Sequence, residues 1–365
     1  MFVRYSYLQQ QFGDCDDLWK NLKEFVHTGD FTLGKPLEEF EEKFAKLIGT
    51  KYAIGVNSGT DAIKLSLRAL GVKHGHEVIT TANTFVATVG AISELGAIPV
   101  FVDCNDTFCM NVELLENAIT SRTKAIVPVH FTGYMTDLRK LMPIADKHGL
   151  PVVEDACQSI LGAIDGKNAG TWSNTGAFSL HPLKNLNVWS DGGVIVTDDS
   201  DLAKELRLLR NHGLVGRDEV TILGYNSRLD TIQAVVGNWL IPQTGMIAQK
   251  RIENAAYYDK HLGSIQNITI PPRPSDYRIV YHLYMVFAEH RNELLEYCLD
   301  QGIEAKIHYP VPIYRQPALS HLNYKEGDFP VTDAHTQKII TFPCDQHISR
   351  DEMDFVIQTV TDYYK

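Results

Sequence analysis

Phe178-Ser179-Leu180-His181-Pro182-Leu183-Lys184-Asn185 lies between an apolar strand that ends in Asp155 and the turn Asp191-Gly192-Gly193. The lysine near its end carries the most information. An amine that condenses with a carbonyl must first lose its proton, so its pKa has to fall from the reference value of about 10.4 toward neutrality. Desolvation and nearby positive charge produce that fall, and a surface position does not. Asp155 closes Val152-Val153-Glu154-Asp155, which puts it at the carboxyl edge of a sheet, where open α/β folds place their ligands.

Outward from this run, short β-branched stretches alternate with amphipathic ones. Strands are expected at 52–56, 77–80, 98–103, 125–130, 151–155, 175–179 and 193–197. Helices are expected at 36–47, where Leu37, Phe40, Phe44 and Leu47 share a face, and at 61–70 and 137–148. This alternation specifies an α/β fold with a mainly parallel seven-stranded sheet covered on both faces. After Trp239 the pattern changes. Helical stretches at 249–262 and 291–301, the segment Pro271-Pro272-Arg273-Pro274, a strand at 281–287 and a closing helix from Asp351 suggest a smaller α+β domain. The expected division is residues 1–240 and 241–365.

With 365 residues, 44% hydrophobic and 22% charged, the chain has the composition of an ordinary globular protein. No run reaches the roughly 18 apolar residues of a membrane span, and the first residues do not read as a secretory signal, so a cytoplasmic protein is expected. Six cysteines lie scattered without a CxxC pair, which suits reduced thiols; no metal site is expected. A net charge of -11 argues against nucleic acid and anionic membrane as partners. A small phosphate ligand needs only local donors and remains compatible.

Such donors are offered by Asn57-Ser58-Gly59-Thr60-Asp61, which follows a strand and opens a helix. Taken alone, Ser-Gly-Thr is also an ordinary capped turn. Asp155 suits an ion pair with a protonated ring nitrogen, or is a plain loop carboxylate. Phe85, just beyond another strand end, could stack on a flat cofactor or simply pack in the core. Gln158 could bond a ring hydroxyl or cap a turn. His181, His212, His282 and His308 are further candidates, each by itself more often a structural histidine than a catalyst. Their co-occurrence decides: phosphate cradle, aromatic platform, strand-end acid and lysine, in an order one sheet edge can bring together, are the requirements of pyridoxal 5′-phosphate.

These motifs, with Gly34-Lys35-Pro36-Leu37-Glu38-Glu39-Phe40-Glu41, Gly75-His76-Glu77-Val78-Ile79, Arg210-Asn211-His212-Gly213 and Gly224-Tyr225-Asn226-Ser227-Arg228-Leu229, extend over nearly the whole chain. The sequence resembles the sugar aminotransferases of the DegT/DnrJ/EryC1/StrS family, within the aspartate-aminotransferase-like fold type I of pyridoxal-phosphate enzymes. The resemblance implies that Lys184 is the Schiff-base lysine and proton shuttle and that Asp155 partners the pyridinium nitrogen. Gly59, Thr60 and Ser179 would hold the phosphate, with Asn226 reaching it from the second subunit of a homodimer. Phe85 would cover the ring, Gln158 would bond near its hydroxyl, and His308 and Tyr309 would lie near the substrate. Two positions depart from the family pattern: Ser190 stands where glycine is usual, and His76 where aspartate is usual.

The implied partners are L-glutamate and a keto nucleotide sugar. Asp191-Gly192-Gly193 in place of a Glu-Gly-Gly turn resembles members that aminate C-3 of a dTDP-linked 3-keto-6-deoxyhexose, the alternative being C-4 of a 4-keto sugar. Dehydratases of the family carry histidine in place of the lysine, and the motif aligns Lys184, not His181, at that position. A sugar-binding or regulatory protein without turnover is a further alternative, against which the full set of Asp155, Gln158 and Lys184 argues.

Overall fold

A computed structural model describes residues 1–365. The apolar runs form seven strands: β1 Tyr52–Val56, β2 Glu77–Thr81, β3 Ile98–Val102, β4 Thr123–Val127, β5 Val153–Asp155, β6 Thr175–Ser179 and β7 Gly193–Thr197. They lie side by side in the order β1-β7-β6-β5-β4-β2-β3, with β4 and β5 joined through the parallel bridges Ile126↔Val152 and Val129↔Asp155. Only β7 runs against its neighbours. The carboxyl ends of β1, β2, β5 and β6 therefore share one edge. The expected strand at 125–130 ends sooner, because Pro128 has no N–H for the ladder and the chain turns off to bridge Asp155.

Successive residues of each strand face opposite sides. Ala53, Phe178, Val194 and Val196 point to a core shared with α2 (Lys35–Ile48) and α7 (Thr231–Leu240). Ile54, Val56, Ala177 and Ile195 point to the other face, under α3 (Gly59–Ala69) and α6 (Ser200–Arg210). Phe40 and Phe44 of α2 are fully buried, each worth about 1.5–3 kcal/mol of transfer free energy. Helix α1 (Asp16–Thr28) buries Leu18, Leu22 and Phe25 along one stripe and was not anticipated from the sequence.

The carboxyl-terminal part builds an antiparallel sheet from β8 (Ile268–Thr269), β9 (Tyr284–Ala288) and β10 (Ile339–Phe342). Helices α8 (Thr244–Leu262), α9 (Arg291–Asp300) and α11 (Arg350–Tyr363) pack on it. Val3 and Tyr7 sink into this same core. Val3 donates its N–H to Gly302 O at 2.9 Å and accepts from Glu304 N at 3.0 Å, so the first residues are tied to the last third of the chain. No helix is long and apolar enough to cross a membrane, and all six cysteines are free thiols.

Strand β5 is held by a buried carboxylate. Glu154 accepts from His130 Nε2 at 3.0 Å, Gly170 N at 2.7 Å, Trp172 N at 2.8 Å and Ser173 Oγ at 3.0 Å. Thr136 N donates to His130 Nδ1, which fixes the ring hydrogen on Nε2, toward Glu154. Glu154→Ala leaves the His130, Gly170 and Trp172 donors without this acceptor, at about 1–3 kcal/mol for each buried group left unpaired, while Ser173 Oγ retains Thr175 O. The unfolding free energy is expected to fall by on the order of 3–5 kcal/mol, read as a lower urea midpoint at unchanged m-value.

Candidate active site

At the shared strand edge the chain encloses a cavity of about 320 Å³ lined by Gly59, Thr60, Phe85, Asp155, Gln158, Ser179, Lys184, His308 and Tyr309. Nine of the ten positions to which the resemblance gives a role thus meet in one place, together with His181 and His282.

One end is the start of α3. Ser58 Oγ caps it by accepting from Asp61 N, while the Gly59 and Thr60 N–H groups have no acceptor within the chain. Two free backbone donors at the positive end of a helix dipole make an anion site. Glycine is required here: a Cβ on Gly59 would lie 2.8 Å from both Cys157 Sγ and Ser179 Cβ. Across the turn, a Cβ on Gly193 would lie 2.2 Å from Ser58 O. The Ser179 hydroxyl accepts from His181 N at 3.3 Å and keeps its own proton available.

Asp155 is buried beneath the middle of the cavity. Thr88, in helix α4 (Val86–Glu94), donates to its Oδ2 at 2.7 Å, and Cys157 N donates to Oδ1 at 3.2 Å. Two of the roughly four lone-pair sites of the carboxylate remain for a cationic N–H donor. Gln158 fixes its amide by accepting from Thr132 N at 2.7 Å, leaving its NH₂ group as a donor.

Lys184 enters from the turn after β6. Its own N–H donates to His181 O, its carbonyl accepts from Asn187 Nδ2, and the neighbouring Asn185 holds Val280 O at 2.9 Å. The amine lies 3.4 Å from His282 Nε2. Burial holds it below the ordinary lysine range, against the pull of Cys157 and Asp155 toward the charged form.

The remaining wall is aromatic. Phe85, half exposed at the start of α4, lies 5.6 Å from the Tyr309 ring at an interplanar angle of 33°. Tyr5 also lines the cavity, with its ring 5.8 Å from that of His308. His308 Nδ1 sits 2.9 Å from Thr341 Oγ1, and burial, helped by Lys306 and Lys184, lowers its pKa to about 4, so the ring is neutral near pH 7.

Asn226 stands apart. It lines a separate cleft with Phe31, Asn57 and Arg228. Sequence reasoning passed over Thr88, Cys157 and Tyr5. Thr88 has a local signal, one helical turn beyond Phe85, whereas Tyr5 reaches the site only through pairing of residues 300 positions apart. His282 was considered but could not be told from a structural histidine.

These residues fit pyridoxal 5′-phosphate. The glycine-opened helix start with two free N–H groups suits a phosphate, the buried carboxylate suits a ring N–H, and an amine whose proton is loosened by burial suits an aldehyde.

Comparison with known proteins agrees. Residues 15–361 match the model of the DegT/DnrJ/EryC1/StrS aminotransferase family. The dTDP-3-amino-3,4,6-trideoxy-alpha-D-glucose transaminase of Streptomyces venezuelae is 38% identical over 339 residues, covering 93% of this chain and 89% of its own. A pleiotropic regulatory protein of Geobacillus stearothermophilus is 36% identical over 352 residues, covering 96% and 95%. The crystal structure of S. venezuelae DesV in complex with a ketimine intermediate superposes with a TM-score of 0.97 at 35% identity, over 100% of this chain and 99% of that one. NtdA from Bacillus subtilis, with bound cofactor PMP, superposes with a TM-score of 0.92 at 30% identity, over 99% and 85%. On this sequence and structural likeness the protein belongs to the DegT/DnrJ/EryC1/StrS aminotransferase family, enzymes of fold type I that use pyridoxal 5′-phosphate.

Proposed function

We propose that this enzyme moves an amino group from L-glutamate to C-3 of a dTDP-linked 3-keto-6-deoxyhexose, within the wider sugar aminotransferase activity of its family. The observation that carries the reading is the convergence of the Lys184 amine and the Asp155 carboxylate on one cavity, with free helix N–H groups at one end and His308 and Tyr309 at the other. Support for C-3 comes from similarity to the dTDP-3-amino-3,4,6-trideoxy-alpha-D-glucose transaminase of S. venezuelae.

Bound here, pyridoxal 5′-phosphate would supply an aldehyde that takes up the amino group and a protonated ring that stores an electron pair. The chain's own groups do the rest. Gly59 N, Thr60 N and the Ser179 hydroxyl would hold the phosphate, and Phe85 and Gln158 would orient the ring. Asn226 would serve the same phosphate from the second subunit of a homodimer. Asp155, its orientation set by Thr88, would keep a proton on the ring nitrogen. Lys184, with its amine free of a carboxylate partner, would accept a proton from the amino donor's α-carbon and return it on the sugar carbon. Neutral His308 and the Tyr309 hydroxyl would face the sugar as hydrogen-bonding groups.

Lys184→Ala is expected to reduce turnover by at least about 10²–10⁴-fold, the range of a positioned acid–base group, with stability little changed. Borohydride treatment of the loaded protein should label Lys184 in the parent and nothing in the variant. Purified protein given L-glutamate and either a 3-keto or a 4-keto nucleotide sugar should aminate the 3-keto substrate. Exclusive turnover of the 4-keto sugar would replace C-3 by C-4, and failure of glutamate to change the cofactor's absorption would remove the glutamate assignment.

A further inference from the structure

The Lys184 amine has a single hydrogen-bond partner in the chain, His282 Nε2 at 3.4 Å. The other ring nitrogen, His282 Nδ1, is buried without a partner. Assigning the hydrogen to Nε2 leaves Nδ1 as a bare acceptor, a less costly orphan than a buried N–H. An Nε2–H directed at Nζ finds an acceptor only in an uncharged amine, which has a lone pair. An ammonium would set N–H against N–H.

The contact is built rather than incidental. Arg251, locked by Asp345 at 3.0 Å and Gln346 at 3.0 Å, donates to Tyr281 O at 3.2 Å and reaches His282 O at 3.5 Å. Thr132 O accepts from Leu283 N at 3.1 Å. Asn185, the residue after Lys184, holds Val280 O. The strand entrance that carries the histidine is therefore held by Arg251 and Thr132, and the Asn185 bond to Val280 O ties it to the turn that carries the lysine.

Burial pushes the His282 imidazole well below the ordinary histidine range, and Lys184, Arg251, His308 and His181 act in the same direction. Asp155 and Cys157 are the groups near the amine that favour its charged form, and Tyr5 lines the same cavity. A neutral ring beside the amine thus avoids two adjacent buried cations.

We infer that His282 is a positioning residue for Lys184: its Nε2–H seats the lysine in the uncharged form whenever the amine is not bonded to cofactor. This rests on Lys184 being the amine that shuttles between cofactor and proton. Released with a lone pair, the lysine is ready to take the next proton instead of having to shed one first.

Competitive isotope labelling of Lys184 in protein loaded with pyridoxamine 5′-phosphate, read by mass spectrometry of its peptide, follows the amine's titration without turnover. His282→Gln offers an amide oxygen that accepts from an ammonium. It is expected to move the titration upward by about one pH unit, a tenfold loss of free amine at fixed pH. The acid limb of kcat for the amino-donor half-reaction should move with it, so that activity returns at alkaline pH. His282→Asn provides a second reading with the same expected direction should the glutamine variant not fold. An unchanged Lys184 titration in a folded variant, or an activity loss uniform across pH, overturns the proposal. A shifted titration in a protein that never aminates a sugar would instead leave this contact standing and remove the assigned substrate.

Discussion

Lys184 buries its amine without an ion pair. Its one hydrogen-bond partner is the His282 imidazole, while the nearby Asp155 carboxylate is occupied by Thr88 and the Cys157 N–H. A cation in that position would be poorly compensated, and burial shifts the amine toward the neutral state that carbonyl chemistry needs. Much of the surrounding structure serves to keep this lysine and this carboxylate close without letting them pair: Asn185 and Asn187 brace the turn, and Thr88 turns the carboxylate toward the ring site.

The sheet supplies the frame. Glu154 and Asp155 are consecutive, so strand geometry sends them to opposite sides. One is consumed by four internal donors and fixes the strand. The other is left at its end with acceptor capacity to spare. The tight approach of α3 to β6 and β7, possible only because Gly59 and Gly193 carry no side chain, sets the helix start at a fixed place relative to that carboxylate. Anchors for the two ends of a flat phosphorylated ring are thus set by backbone packing.

The fold was legible because strand periodicity and turn residues agreed: β1, β6 and β7 begin and end where the apolar runs do. Gly59, Asp155 and Lys184 were legible because each stands at a strand end beside small or apolar residues, a local signature. Tyr5 and His282 were not, and Thr88 offered only its place one turn beyond Phe85, for a common reason. Their importance lies in contacts set by distant pairings, Thr88 with a strand 67 residues on and Lys184 with a histidine 98 residues on. Helix α1 escaped because its polar face is long and its stripe narrow. Asn226, placed by resemblance at the phosphate of the second subunit, lies within its own chain in a separate cleft beside Phe31 and Arg228.

Tyr5 walls the cavity, and its neighbour Val3 pairs with residues 302–304. Because a ribosome releases the amino end first, that wall has no partner until some three hundred residues have been made. The sheet edge carrying Lys184 and Asp155 can form much earlier. Closure of the cavity wall therefore waits until Val3 can pair with residues 302–304, late in synthesis.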